Sequence, residues 1–244
     1  MTVTLAALRQ MKRDGRKIVG VVAWDCQMAG IADRAGVDIV SAGDSVGANL
    51  WGRAADAEVT VDEMLICCQA VRSGVKRALV SCDVPDAPVR EGAAVAAAVR
   101  LAKEGGADMV KVLADPTTVR AIVRAGVPVF AEFHGGNRGV EDLVDEAKRL
   151  QDAGAALLDF RHSGPEAGAA VVSAVSIPVI GGLGGGPWLD GRMRLAHAAI
   201  GYAASNLESK TESYANVASI ALDAIAAYAD DVRAGRQLKG QRPG

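Results

Sequence analysis

Short apolar segments alternate along the chain with segments of helical period. Continuous apolar runs of strand length are typical of parallel strands buried on both faces. Seven such runs occur, at 18–24, 38–43, 78–83, 109–114, 127–133, 155–161 and 177–181. Helical segments separate them, at 27–35, 61–73, 91–104, 116–125, 140–153 and 165–175. The alternation predicts repeated β/α units around a parallel sheet.

Helix ends are marked by capping residues. Thr60 and Glu63 form a capping box just before an apolar run, which predicts a helix start. Glycines follow several helical segments at the place where a left-handed stop residue is expected. They are Gly36, Gly105 and Gly106, Gly126 and Gly154.

Seven repeats, with an eighth strand expected within 195–203, predict a (β/α)8 TIM barrel that forms a single domain over 1–244. A doubly wound open sheet is the alternative, but no G-x-G-x-x-G follows the first strand. Residues 209–234 predict an extra C-terminal helix. Its apolar positions either cover the barrel or pair with another subunit, which favours a homo-oligomer.

Composition narrows the class of protein. The chain has 244 residues, 50% of them hydrophobic, and a formal net charge of −2. This charge gives no reason to expect nucleic acid or an anionic membrane as a partner. The absence of an apolar run of about 18 residues and of a signal-peptide core predicts a cytoplasmic protein. The four cysteines lack metal-site or redox spacing, so we interpret them as buried apolar side chains.

Several strand candidates end in a charged or polar group. Asp44 and Ser45, Asp83, Lys111 and Glu132 each lie at such an end. Barrel enzymes place catalytic residues at the carboxyl ends of their strands. The pattern predicts that carboxylates and an ammonium converge on one pocket.

The sequence resembles the ketopantoate hydroxymethyltransferase family over nearly its whole length. The matching segments, in order, are Gly43-Asp-Ser-Val-Gly47, Val59-Thr-Val-Asp-Glu-Met64, Asp83-Val-Pro85, Gly106-Ala-Asp-Met-Val-Lys111, Ile177-Pro-Val-Ile-Gly181 and Asp190-Gly191. The resemblance implies an oligomeric, Mg²⁺-dependent barrel of the phosphoenolpyruvate mutase/isocitrate lyase superfamily. It also implies hydroxymethyl transfer from 5,10-methylene-tetrahydrofolate to the β-carbon of a 2-oxo acid.

Three positions depart from the family pattern. Leu113 stands where the family has a glutamate, two residues after the lysine. The family's His-x-Gly-Leu-Thr-Pro-Gln is replaced by the seven residues from Glu132 to Arg138. The family's catalytic glutamate at the end of the sixth strand falls on Arg161.

Chemistry and resemblance together predict a site. Asp44 and Asp83 are the expected Mg²⁺ ligands, because Mg²⁺ is usually bound by one or two carboxylates together with oxygens of the substrate. Lys111 is expected to stabilise an enolate. Ser45 and Arg161 are expected to bind the substrate carboxylate, with His134 and Asp83 also at the substrate. A turn or capping role is the alternative for the two aspartates and the serine.

Strand alternation assigns the remaining groups. Glu132 and His134 share one face, as do Asp159 and Arg161, and we expect all four inside the barrel. Glu132 is the first choice of catalytic base and Asp159 the second, with a pKa raised by apolar walls. A structural ion pair of either carboxylate with Arg161 is the alternative.

The sequence therefore predicts an Mg²⁺-dependent enzyme that acts on a 2-oxo acid through a metal-bound enolate and forms a carbon–carbon bond in the manner of an aldolase. The first specific reaction is hydroxymethyl transfer. A folate-independent lyase, decarboxylase or hydrolase of the superfamily is one alternative. A non-catalytic, metabolite-binding barrel is another.

Overall fold

The computed structural model describes residues 2–54, 59–113, 115–182, 185–209 and 212–236. Eight strands pair in parallel, each with the next along the chain, and close into a barrel in the order β1 to β8. The closed barrel confirms the predicted fold class and excludes the open doubly wound sheet.

The strands are β1 Ile18–Val22, β2 Ile39–Ala42, β3 Leu79–Asp83, β4 Met109–Leu113, β5 Val129–His134, β6 Leu157–Arg161, β7 Val179–Gly181 and β8 Gly191–Leu195. The helices are α1 Leu5–Arg13, α2 Cys26–Ala35, α3 Val46–Asn49, α4 Val61–Gly74, α5 Asp86–Arg90, α6 Ala94–Lys103, α7 Pro116–Arg124, α8 Val140–Asp152, α9 Pro165–Ala174, α10 Ala196–Ala199 and α11 Val217–Arg233. A 3₁₀ turn covers Ala204–Leu207.

Local signals place most helix ends correctly. Thr60 and Glu63 form the predicted capping box at the start of α4. Four of the five expected stop glycines have positive φ, at +90° for Gly36, +76° for Gly106, +85° for Gly126 and +100° for Gly154, whereas Gly105 does not.

The eighth strand exists, but its predicted position was wrong. The strand lies at Gly191–Leu195, and 196–199 is helical. Its exposed Arg192 and Arg194 alternate with the buried Met193, so it lacks the continuous apolar run that marks the other strands. A Cβ on Gly191 would lie 2.1 Å from the carbonyl oxygen of Ile18, so only glycine permits this approach to β1.

Inward-facing side chains fill the amino-terminal part of the barrel. Ile39 pairs in register with Leu79, and Phe130 with Leu157, and all four belong to one buried cluster. Leu8 and Met11 of α1 join the same cluster and close this end of the barrel. The polar positions of the strands are therefore left at the opposite, carboxyl end.

Two compact units divide the chain, Met1–Arg194 and Leu195–Gly244. The first holds the barrel, and the assignment of 1–244 to a single domain stays a prediction. The extra C-terminal helix is present in the second unit, but it starts at Val217 rather than at 209. The Asn216 side chain caps its first turn. Of the helices that the structure describes, none has the length and apolarity to cross a membrane.

The buried Asp33 on α2 fastens the connection between α4 and β3. Its carboxylate accepts hydrogen bonds from the backbone N–H groups of Lys76, Arg77 and Ala78. Replacing Asp33 by alanine leaves these donors without a partner, so we expect Asp33→Ala to lower the free energy of unfolding by about 1–3 kcal/mol. Urea denaturation measures the change.

Asp152→Ala serves as the matched control, because this aspartate is exposed at the end of α8. It should change the free energy of unfolding by less than about 0.5 kcal/mol. Equal effects of the two substitutions would contradict the role assigned to Asp33.

Candidate active site

A cavity of about 210 Å³ opens at the carboxyl end of the barrel. Strands β3 to β6 supply most of its wall, and the loop after β2, the connection after β3 and the first residue of α5 supply the rest. The lining residues are Asp44, Asp83, Val84, Asp86, Lys111, Val112, Leu113, Glu132, His134 and Arg161.

Lys111 is the centre of the buried charges. Its Nζ lies 3.1 Å from Asp83 Oδ2, 2.9 Å from Glu132 Oε2 and 3.8 Å from Asp159 Oδ2. Burial by itself would lower the pKa of Lys111, but the three carboxylates raise it above its usual value. Lys111 is therefore a permanent cation, and the prediction that it faces inward is confirmed.

Both carboxylate oxygens of Glu132 have polar partners. Oε2 lies 2.9 Å from Lys111 Nζ and 3.1 Å from Arg161 Nη2, and Oε1 lies 2.8 Å from His134 Nε2. Burial would raise the pKa of Glu132, but Lys111, Arg161 and His134 lower it to about 2. The expectation of a raised pKa for Glu132 was wrong, because the walls around it are charged rather than apolar.

Asp159 differs from Glu132 in both its burial and its electrostatics. It is 1% exposed and is not part of the cavity lining. Its Oδ1 accepts a hydrogen bond from the backbone N–H of Gly182, and Oδ2 lies 3.5 Å from Arg161 Nε. Burial raises the pKa of Asp159 in spite of Lys111, as predicted for a carboxylate away from solvent.

Strand alternation predicted the inward face of β5 and β6 correctly. Glu132 pairs in register with Asp159, and His134 pairs with Arg161. Both predicted ion pairs of Arg161 are present, and the arginine still lines the cavity. A structural ion pair and contact with substrate are thus compatible for this residue.

The ends of β2 and β3 bring the two aspartates to the same cavity. Asp83 accepts a hydrogen bond from Ser41 at 3.4 Å through Oδ1. Gly43 precedes Asp44, and a Cβ there would lie 2.8 Å from Val22 Cγ1 and 3.6 Å from Asp83 Oδ2. Glycine at this position therefore leaves room beside the Asp83 carboxylate.

Ser45 lies at the same edge without joining the cavity lining. It precedes α3 and makes no side-chain capping bond to that helix. Its Oγ lies 3.2 Å from the position that a Cβ on Gly43 would occupy. The nearby Gly43 carbonyl accepts a hydrogen bond from buried Trp24 at 2.8 Å, which fixes this turn.

The donor set at this edge suits a small divalent cation. Asp44 and Asp83 supply carboxylate oxygens, which Mg²⁺ prefers, and it commonly takes one or two of them plus oxygens of substrate and water. Within the described residues, no group of three or more His, Cys, Asp or Glu side chains is arranged as a metal site. These residues therefore do not form a metal site in which the protein supplies most of the ligands.

Two features of the site were not predicted from the sequence. Asp86, at the start of α5, lines the cavity; its position three residues after Asp83 was the available signal. Leu113 is 48% exposed at the cavity, so an apolar surface occupies part of the mouth.

A (β/α)8-barrel enzyme is the class that this fold and site define, because charged groups gather at the carboxyl ends of the strands. The chain belongs to the ketopantoate hydroxymethyltransferase family, whose model matches residues 2–237.

Relatives of this family align over most of their length. The 3-methyl-2-oxobutanoate hydroxymethyltransferase of Paenarthrobacter aurescens (strain TC1) is 36% identical, over 94% of this chain and 82% of that protein. The protein of the same name from Cyanothece sp. (strain PCC 7425 / ATCC 29141) is 34% identical, over 96% of this chain and 97% of its own.

Solved structures share the fold at lower identity. A phosphonopyruvate hydrolase in complex with oxalate and Mg²⁺ superimposes with a TM-score of 0.63 at 16% identity, over 100% of this chain and 92% of that one. A 2,3-dimethylmalate lyase, a member of the phosphoenolpyruvate mutase/isocitrate lyase superfamily, gives 0.62 at 16% identity, over 100% and 93%.

Removing the central cation should destabilise the barrel. We expect Lys111→Met to lower the free energy of unfolding by about 3–5 kcal/mol, because it leaves buried carboxylates without their cation. Lys148→Met, at an exposed position on α8, is the matched control and should have little effect. The double variant Lys111→Met with Glu132→Gln should recover part of the loss; additive losses in urea denaturation would contradict the coupling.

The lowered pKa of Glu132 predicts a specific pH dependence of stability. The folded-state value of about 2 lies below the usual 4.5, so the stabilising contribution is complete above about pH 4.5. It is lost as the pH falls toward 2. Glu132→Gln should flatten this part of the curve of unfolding free energy against pH, and an unchanged slope between pH 4.5 and 2 would contradict the assignment.

Proposed function

We propose that this protein transfers a hydroxymethyl group to the β-carbon of a 2-oxo acid, with Mg²⁺ as the metal and 5,10-methylene-tetrahydrofolate as the one-carbon donor. The family and the superfamily imply a divalent metal. The observation that carries the proposal is the meeting of Lys111 with Asp83 in a cavity that Asp44 also lines, in a chain of this family.

Asp44 and Asp83 are the residues that would hold the cation. The cation would polarise the keto group of the 2-oxo acid and acidify the adjacent C–H bond, as a Lewis acid does. The protein's own part is to hold both carboxylates at one edge of the barrel mouth. Three buried carboxylates, Asp83, Glu132 and Asp159, face two cations there, Lys111 and Arg161.

Lys111 and Arg161 give the cavity its affinity for an anionic substrate. Lys111 is a buried, permanent cation beside the metal position, suited to stabilising the oxygen of an enolate. Arg161 is suited to a carboxylate because guanidinium binds carboxylates through two parallel hydrogen bonds. Ser45 and His134 are assigned to substrate binding at the same mouth.

Val84, Val112 and Leu113 form the apolar part of the lining. A branched aliphatic side chain on the 2-oxo acid would bury against them, so 2-oxoisovalerate is the first substrate to test. A homo-oligomer is the expected assembly.

Proton loss from the substrate gives a direct test. Incubation with Mg²⁺ and 2-oxoisovalerate in D₂O should remove the C3 proton signal from the NMR spectrum. Asp44→Asn and Asp83→Asn should each reduce this exchange by at least about 100-fold, because each removes an anionic ligand of the cation, whose polarisation of a carbonyl is worth several kcal/mol. Asp152→Asn is the control and should exchange at the rate of the unaltered protein.

Removing the metal with EDTA should stop exchange, and added Mg²⁺ should restore it. Addition of 5,10-methylene-tetrahydrofolate should then yield the hydroxymethylated 2-oxo acid. Exchange without this product would favour a folate-independent lyase, decarboxylase or hydrolase. No exchange with any of a panel of 2-oxo acids would refute the proposal and favour a metabolite-binding barrel.

A further inference from the structure

The proposed reaction needs a group that accepts a proton, and the charged network removes the obvious candidates. Glu132 uses Oε2 for Lys111 and Arg161, and Oε1 for His134. Protonating it would break contacts with three positively polarised groups at once. Asp159 is 1% exposed and lies outside the cavity lining, so substrate does not reach it.

His134 meets the requirements that these carboxylates fail. It is the last residue of β5, its side chain is 46% exposed, and it lines the cavity. Its Nε2 lies 2.8 Å from Glu132 Oε1. Histidine is the side chain whose ordinary pKa lets it take and release protons near neutral pH.

From this geometry, and resting on the proposed function, we propose that His134 is the catalytic base that removes the β-proton of the 2-oxo acid, and that Glu132 is a positioning residue. The ionised Glu132 accepts a hydrogen bond from His134 Nε2–H, so the lone pair is on Nδ1. Nδ1 takes the proton from C3, the C–H electron pair becomes the C2–C3 double bond, and the carbonyl pair moves onto oxygen. Glu132 then stabilises the imidazolium, as a carboxylate does in a catalytic triad.

The surrounding loops hold His134 in place. The backbone N–H of Gly135 donates to the carbonyl of Arg161 at 2.9 Å, and that of Gly136 donates to the carbonyl of His162 at 3.1 Å. Arg138 donates to the carbonyl of His134 at 3.2 Å. The ladder of β5 and β6 therefore continues beyond the strands, and the imidazole is carried on a fixed backbone.

The charged and titratable groups that face His134 come from β5, from the neighbouring strand β6 and from the loops beside them. Glu132 is on β5, Arg161 is its register partner on β6, and Arg138 is on the loop after β5. His162, with a φ of +51°, presents its ring edge to His134 at a centroid distance of 6.3 Å. His162 lies outside the cavity lining, which makes it the natural control.

The test measures C3 deuterium exchange of 2-oxoisovalerate with Mg²⁺ across a range of pH. His134→Ala should reduce the maximal rate by at least about 100-fold, and added imidazole should restore part of it, because a small base enters the space left by the side chain. His134→Gln provides a second variant of similar size, and its circular dichroism and urea midpoint check that the barrel is folded. His162→Asn, which tolerates the left-handed backbone, should stay within about threefold of the unaltered protein.

Glu132→Gln separates the two carboxylate roles. If Glu132 positions His134, this variant keeps measurable exchange at a lowered maximal rate, and the conservative variant Glu132→Asp, which keeps the carboxylate, recovers part of that rate. If Glu132 is itself the base, the variant loses exchange at every pH while His134→Ala retains it, and this outcome overturns the inference. Exchange by the unaltered protein with no effect of His134→Ala overturns the inference alone, whereas no exchange by the unaltered protein overturns the proposed function with it.

Discussion

The buried ammonium of Lys111 is the interaction on which the site depends. Three carboxylates from three different strands lie within 3.8 Å of its Nζ. Carboxylates at this density repel one another inside a barrel, so the cation both permits their burial and fixes their positions. Asp83, Glu132 and Asp159 all surround the Lys111 ammonium, but their other neighbours differ.

Electrostatic environment then divides the carboxylates by role. Glu132, beside Lys111 and Arg161, is held as an anion with a pKa of about 2. Asp159, buried behind it, has its pKa raised by the loss of solvent. Asp44 and Asp83 remain at the cavity, where oxygen ligands are suited to a hard cation. Glu132 and Arg161, at two of the places where the sequence is expected to depart from the family pattern, form one ion pair.

Repetition in the chain made the fold predictable. A strand buried on both faces has to be apolar throughout, and a helix that ends in a left-handed residue favours glycine. Both features can therefore be recognised from the local sequence. The sequence pattern of strand β8 is weaker, because its outward positions are Arg192 and Arg194 and its first residue is a glycine packed against Ile18. The start of α11 was also misplaced: the helix begins at Val217, and the Asn216 side chain before it accepts a hydrogen bond from the backbone N–H of Ser219.

The sequence by itself determined the barrel, the convergence of Asp83, Lys111 and Glu132 at one end, and the inward face of β5 and β6, because periods of two and 3.6 residues depend only on backbone geometry. Tertiary structure alone decided which of these groups are ionised and which reach the cavity. Those properties depend on distances between strands that are far apart in the chain, such as the 2.9 Å between Lys111 and Glu132. The same holds for the hydrogen bond that joins Glu132 to His134, since two residues on one face of a strand come into contact only when their side chains are directed toward each other by their neighbours.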